Sequence, residues 1–574
     1  MPPLEEPKVK KLLVALYGRD EGETTYHKLQ RLVERKLPFP PPKKSLWDER
    51  DLWLITYGDT LSEPHTAPLA TLKRFLETAA NGSFSFVHIL PFFPFSSDDG
   101  FSVVDYREVD PKLGRWDHIQ DLSAAFRPVF DAVINHVSSG SRYMQRYQQG
   151  TQTRGPFFIE VQPEDDLSKV VRPRALPLTH EFSTPSGPKP LWTTFSRDQV
   201  DLNFANPEVL LELLDVLLFY AKKGAEAFRL DAIAYLWKEP GTSCIHHPKT
   251  HIVVKLIRAL IEAVCPGRIL LTETNVPHAE NTSYFGEGDD EAHLVYNFTL
   301  APLLLHCIHK GDATALTRWA ARLDERSGAT AFLNFTASHD GVGVRPTEGL
   351  LTKKERQDLV ETTLAHGGKV STKQNPDGSQ TPYELNITYF DALNPPDGDD
   401  DLETQVARFM VSQAVALAFK GIPAVYIHSL LGSRNDYDGV EETGRARSIN
   451  RKKLSYPELL VELETPESPR ARVFRKYMEL LKCRKRTPAF HPDSPQEVLD
   501  LHPGVFALCR GRGEKGQVYA FHNLTGEPVS CSVGEKLGPA PRLGDLLYPQ
   551  KTPKLKNGKL ELRPYEVSWL TPSG

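Results

Sequence analysis

Eight short apolar runs, most of them separated by a helix-like segment, constrain this chain more than any other feature: LWLITYG, FSFVHILPF, PVFDAVINH, EAFRLDAI, RILLTET, HLVYNF, TAFLNFTA and AVYIHSL. Turn residues bound each run, and each has the length of a strand. A strand that is apolar along its whole length is buried on both faces, as in parallel sheets covered by helices. Such strands alternating with helices predict an α/β fold, a (β/α)8 TIM barrel closed on itself, rather than an antiparallel sandwich.

The remaining segments read as additions to that barrel. Residues 1–50 combine helical patterns over Lys8–Tyr17 and Tyr26–Lys36 with a proline-rich linker, which predicts a helical N-terminal extension. The barrel is expected over 51–137, 206–341 and 398–490. Residues 138–205 are too long for an ordinary loop and predict an inserted domain after the third strand. Residues 342–397 predict a second inserted domain after the seventh, so that both project over the C-terminal face. From 491 to 574 the short alternating segments GVFALCR, QVYAFHN, LELRP and EVSWL predict a small C-terminal β-domain.

Composition narrows the function classes. The net charge of −5 gives no basis for nucleic-acid binding. The basic run Lys482–Arg486 is the one contrary feature, and it reads as the solvated end of a helix that begins near Arg470. Six cysteines without CxxC spacing predict neither a zinc site nor a disulfide framework, only buried reduced thiols. The apolar run Leu12–Tyr17 is too short for a membrane span or a signal core, so a cytoplasmic enzyme without membrane partners is expected. Oligomeric state is open, with a homodimer as one option.

Polar residues gather at the ends of four of the predicted strands, where a barrel enzyme holds its chemistry. These are Asp131, Asn135 and His136 after the third; Arg229 and Asp231 after the fourth; Glu273 after the fifth; His339 and Asp340 after the seventh. A buried structural carboxylate explains any one of them but not the set. Cleavage of a glycosidic bond needs an acid to protonate the leaving oxygen and a carboxylate to trap the oxocarbenium-like centre. Arg229, two residues before Asp231, projects to the same face of its strand and favours an ionised Asp231. Glu273 stands among apolar and neutral neighbours, which suits the raised pKa of an acid.

At these residues, in DAVINH (131–136), FRLDAI (228–233), LTET (271–274) and ASHDG (337–341), the sequence resembles glycoside hydrolase family 13, the α-amylase superfamily. The resemblance implies Asp231 as nucleophile, Glu273 as acid/base and Asp340 as the third carboxylate on the sugar hydroxyls. Arg229, His136 and His339 are implied as glucose-subsite residues. The Asn135 position helps bind calcium in many members of that superfamily, but it does not by itself predict a metal, and no cofactor is expected. HILPFFPFSSDDGFSVVDY (88–106), VRPRALP (171–177), WKEPGTSCIHHPKTH (237–251) and ARSINR (446–451) further resemble the sucrose phosphorylase subfamily, whose members transfer glucose to phosphate. By position this implies that Asp98 and Arg447 clamp the glucose, that Phe101 stacks on its ring, and that Gln199 and Tyr235 line the pocket. Core packing is the competing role for Phe101.

The acceptor side must hold a dianion and then exchange it, a task for arginine. Arg174 and Tyr383 lie on the two insertions and are implied to border that site, with Arg447 and Arg434 as further candidates and surface solvation the alternative for Arg434. In SQTPYELN the chain departs from sucrose-specific members: Thr381 replaces an acidic residue before the tyrosine, and Glu384 follows it in place of glutamine. Loss of an anion there favours a charged acceptor, while Glu384 opposes it unless it points away. The N-terminal extension and the WTTFSRDQVDLN, ETNVPHAENTSYFGEGDDEAH and SLLGSRNDYDGVE stretches resemble the branch that phosphorolyses glucosylglycerate. The expected small-molecule partners are therefore an α-glucoside, inorganic phosphate and glycerate. Sucrose or sucrose 6-phosphate phosphorolysis, hydrolysis or transglucosylation, and a non-catalytic binding role remain as alternatives.

Overall fold

The computed structural model describes residues 7–42, 46–174, 176–288, 290–324, 326, 328–374, 379–513, 516–537 and 542–572. Ala175 of the 171–177 motif, Asp289 of the 273–293 stretch, residues 375–378 of the second insertion, and the parts of the terminal segments missing from these ranges lie outside the description.

All eight apolar runs form strands of one closed parallel barrel, in sequence order around the ring. They are Trp53–Thr56, Phe86–Ile89, Arg127–Ala132, Ala227–Leu230, Ile269–Thr272, Leu294–Tyr296, Ala331–Asn334 and Ile422–Tyr426. Every residue of these strands is buried, as expected where side chains fill the ring on one face and meet the helices on the other. Helices such as Pro207–Lys222 and Pro248–Val264 form the outer layer; both begin with proline at the first turn, behind the side-chain caps Asn206 and His247.

The additions brace this barrel. Helices Pro7–Tyr17 and Arg19–Lys36 pack so closely that a Cβ on Gly22 would lie 2.6 Å from the Val14 backbone. The pair is tied to the barrel by Tyr17, which donates to the Phe204 carbonyl at 2.9 Å, and by Lys28, bonded to Glu208 at 2.7 Å. Between the third and fourth strands lie two antiparallel pairs, His136–Ser138 with Gln199–Asp201 and Thr179–Thr184 with Gly187–Trp192. After the seventh strand, Val342–Gly343, Gln380–Asn386 and Lys369–Gln374 form a small antiparallel sheet. The chain ends in a five-stranded and a three-stranded sheet with an apolar core of their own around Phe521, Leu560 and Leu570.

The basic run 482–486 departs from its expected role. The helix Pro469–Lys485 does carry the basic run, but its end is not solvated throughout. Arg484 is fully buried and donates to the carbonyls of Leu417, Glu49, Gly421 and Phe490, so a charge that sequence assigns to solvent instead joins the helix to the base of the barrel. The six cysteines are all free and buried. Among the described residues, no helix is long and apolar enough to cross a membrane.

Candidate active site

Parallel register builds the centre of the site. Asp131, Arg229 and Leu271 are neighbours on adjoining strands, so the next positions up, Asp231 and Glu273, emerge side by side at the C-terminal rim. The Asp231 N–H donates to the Ala132 carbonyl at 3.2 Å and the Glu273 N–H to the Leu230 carbonyl at 3.1 Å, extending the ladder through both carboxylates. The chain then turns: Ala232 adopts the left-handed region at φ 49° and aims its N–H at Glu273 Oε2, 3.0 Å away. Strand neighbours sit about 4.8 Å apart. The two carboxylates therefore rise from the ends of adjacent strands.

Arg229 organises what lies beneath. Its Nη1 donates to Asp131 at 2.5 Å and to Asp231 at 2.8 Å, and Asp131 also meets His88 Nε2 at 2.7 Å. Burial raises Asp131, but the Arg229 and His88 partners overcome it and hold that carboxyl below its usual range. Burial also raises the Asp231 and Glu273 carboxyls, each reinforced by neighbouring acids and opposed by Arg229. Of the two, only Asp231 receives a direct guanidinium bond, while Glu273 accepts the Ala232 N–H.

Asp340 is the opposite case. Burial again opposes ionisation, but Arg447 at 2.7 Å, then His339 and Arg451, hold it well below the carboxylate range. Burial lowers His339 to about 3, so its imidazole is neutral near pH 7. His136, also lowered chiefly by burial, lies 2.8 Å from the Phe101 carbonyl, which Gln199 also reaches at 3.2 Å. The Phe101 ring stacks on His339 with centroids 5.0 Å apart, so one of its faces is already covered, while Arg229 lies 5.3 Å from its centre. Asp98 and Asp99 have positive φ, as does Gly100, where a Cβ would lie 2.7 Å from the Pro91 carbonyl. That bend turns Asp98 to Arg174 at 2.9 Å and Asp99 to Arg451 at 2.5 Å.

A cavity with about 520 Å³ of empty space, its mouth included, brings together Asp98, Phe101, His136, Arg174, Gln199, Arg229, Asp231, Glu273, His339, Asp340, Tyr383 and Arg447 from the sequence-derived set. The structure keeps four others out of its lining. Tyr235 stands behind Phe195, with ring centroids 5.4 Å apart. Thr381 sits along the strand Gln380–Asn386, paired across the sheet with Lys373. Glu384 is buried and takes a bidentate bond from Arg447, 2.9 Å at each oxygen, which neutralises the anion that would oppose a charged acceptor. Arg434 does not belong to the site: it is exposed and bonded to Asp391 at 2.9 Å and Gln405 at 2.7 Å, because the turn Ser433–Asn435 faces the outer helices.

Sequence reasoning overlooked Phe195, whose ring lines the cavity 5.5 Å from the Arg174 guanidinium, and the buttress Arg451, which donates to the His339 carbonyl at 2.8 Å. The basic-after-small pattern ARSINR was the available signal for Arg451. At the Asn135 position the cation is supplied by the protein: Lys238 donates to Asn135 Oδ1 at 2.7 Å and pairs with Asp201 at 2.9 Å.

The family described as the α-amylase catalytic domain matches residues 83–340. The chain is 47% identical over 582 aligned positions to the glucosylglycerate phosphorylase of Spirochaeta thermophila, covering 98% of each chain. It is 43% identical to the enzyme of that name from Escherichia coli, covering 98% of this chain and 99% of the other. The chain belongs to glycoside hydrolase family 13, the α-amylase superfamily. Within family 13 it is a phosphorylase of the glycosyltransferase kind, and it also resembles the sucrose phosphorylase of Agrobacterium vitis, at 32% identity over 76% of this chain and 88% of that one. The solved structure of a sucrose 6F-phosphate phosphorylase from Thermoanaerobacter thermosaccharolyticum superposes with a TM-score of 0.72 at 26% identity, covering 83% of this chain and 94% of the other.

Proposed function

We propose that this family 13 enzyme catalyses the reversible phosphorolysis of 2-O-α-D-glucosyl-D-glycerate to α-D-glucose 1-phosphate and D-glycerate. The observation that carries the chemistry is the unequal pair at the cavity floor: Asp231 is bonded to Arg229 and Glu273 is not. Asp231 attacks the anomeric carbon, the bond to the glycerate oxygen breaks, and Glu273 delivers its proton to that oxygen. The product is a β-glucosyl-enzyme with Glu273 ionised. Hydrogen phosphate then attacks the same carbon, expels Asp231 as carboxylate, and gives up its proton to Glu273. Two inversions restore the α-configuration, and each carboxyl returns to its starting state.

The other residues follow their positions. Asp340, held ionised by Arg447, accepts from the glucose 2- and 3-hydroxyls; Asp98, Arg447, His136, Gln199 and His339 bind the rest of the ring; Phe101 closes its side. Arg174 and Tyr383 border the acceptor. The relatives named as glucosylglycerate phosphorylases, similar along nearly the whole chain, support glycerate as that acceptor. Free buried thiols suit an enzyme of the reducing cytoplasm.

The test is a donor panel of sucrose, sucrose 6-phosphate, glucosylglycerol and glucosylglycerate, each assayed for glucose 1-phosphate with and without added phosphate. Phosphate-dependent release from glucosylglycerate above the other three is expected. Preference for a neutral donor refutes the glycerate assignment, and sugar release without phosphate refutes phosphorolysis.

A further inference from the structure

The arginines that sequence pointed to as anion anchors are largely committed within the protein. Arg174 bonds Asp98, Arg447 is divided between Glu384 and Asp340, and Arg434 lies outside the cavity on Asp391. Two other cations stand near the backbone of the cavity-lining Tyr383. The Val344 N–H donates to the Tyr383 carbonyl at 3.1 Å, so Arg345 departs one residue from the backbone that carries Tyr383. Its Nε is buried without a hydrogen-bond partner, and its guanidinium has no hydrogen bond or ion pair among the described residues. Lys373 lies across the sheet from Thr381, two positions from Tyr383, half-buried and likewise without a hydrogen bond or ion pair among the described residues.

These two charges feel one another. Burial first, and the Arg345 charge next, lower the Lys373 ammonium from its usual range. Burial raises the Tyr235 hydroxyl, and Arg345 is the charge that most opposes it; Tyr235 in turn packs against the cavity-lining Phe195. Glu348 and then Glu280 act on Lys373 in the opposite sense, and Glu280 is itself bonded to His246 at 3.1 Å. Two neighbouring like charges and a buried guanidinium N–H without a protein partner are unfavourable by themselves and are relieved by a bound oxyanion.

We infer that Arg345, seconded by Lys373, is the anion anchor of the acceptor subsite and binds the carboxylate of glycerate, setting a preference for an anionic over a neutral acceptor. This inference rests on the glycerate reading above and adds the residues that enforce it.

The experiment measures glucosyl transfer from α-glucose 1-phosphate to D-glycerate and, in parallel, to glycerol, the neutral analogue of the same length. Wild type, Arg345→Ala, Arg345→Lys and Lys373→Ala are compared. In Arg345→Ala the glycerate-to-glycerol ratio of kcat/KM is expected to fall about 10- to 100-fold, mainly through KM for glycerate. Arg345→Lys should recover part of that loss, and Lys373→Ala should show a smaller one. A structural role alone would slow both acceptors together; an unchanged ratio in Arg345→Ala and Lys373→Ala overturns the inference while leaving the glycerate reading intact. Isotope exchange between glucose 1-phosphate and inorganic phosphate is run on the same variants. A raised KM for phosphate with an unchanged glycerate ratio would assign the pair to phosphate and overturn the carboxylate assignment. A wild type that transfers no glucose to glycerate overturns both readings.

Discussion

On the donor side of the cavity each charged group is matched within the protein: Arg229 with Asp131 and Asp231, Arg447 with Asp340 and Glu384, Asp98 with Arg174, Arg451 with Asp99. Arg345 and Lys373, the inferred acceptor anchors, have no such partner among the described residues. The difference follows the ligands. Glucose is common to every step, so its subsite gains from being built in advance, with dipoles and charges that need no reorganisation during reaction. In the proposed reaction glycerate and phosphate alternate in one place, and an anchor left without a protein counter-ion accepts either arriving anion without first breaking an internal bond.

The largest effect that would break this comparison comes from the floor of the donor side. Asp231→Asn is expected to lower phosphorolysis by about 10⁴-fold or more, since the proposed route passes the glucosyl residue through Asp231. Near-normal release of glucose 1-phosphate would exclude the covalent route. Glu273→Gln is expected to cost about 10²- to 10⁴-fold with glucosylglycerate, and much less with a donor such as α-glucosyl fluoride whose leaving group needs no proton. Equal losses on both donors would remove Glu273 from the acid role.

A smaller effect tests whether the paired side is also a structural unit. Glu384→Ala leaves the Arg447 guanidinium without its bidentate partner and should destabilise the fold by about 3 kcal/mol, read by denaturant unfolding. A loss below about 1 kcal/mol would mean that Arg447 finds solvent as easily as Glu384. The smallest effect concerns pH. Burial raises the Asp231 and Glu273 carboxyls in the folded state, so the stability they contribute is present below the ordinary carboxyl range. It is lost as pH climbs through their raised values, at up to about 1.4 kcal/mol per pH unit for one proton. Glu273→Gln should flatten this decline; a wild type whose stability does not fall faster with pH than the variant's would argue against the raised carboxyls.

Much of the donor side was legible in sequence because it lies on regular strands. Arg229 and Asp231 share a face through the two-residue period, and Asp231 and Glu273 meet through parallel register, both consequences of strand geometry that spacing alone carries. Phe195, Arg451, Arg345 and Lys373 were not legible. Phe195, Arg345 and Arg451 lie in irregular or tight 3-10 turns, where no strand period relates a residue's number to its direction, and Lys373 lies on a strand whose pairing inside the insertion its spacing does not reveal. Arg434 and Arg484 mark the same limit in reverse: an arginine drawn toward the site turned out to sit on Asp391 at the surface, and one assigned to solvent turned out to be buried.

By itself, the sequence determined the barrel, the order of its eight strands and the carboxylates at their ends, because burial on both faces writes a continuous apolar run and catalytic groups must stand where such runs stop. Only the tertiary structure decided which charges neutralise one another. Glu384 looks like an obstacle to an anionic acceptor until Arg447 is seen to bind it, and Arg345 looks like any loop arginine until its buried nitrogen is seen to have no partner. Electrostatic pairing depends on distance and burial in space, and neither is encoded in the local pattern of a chain.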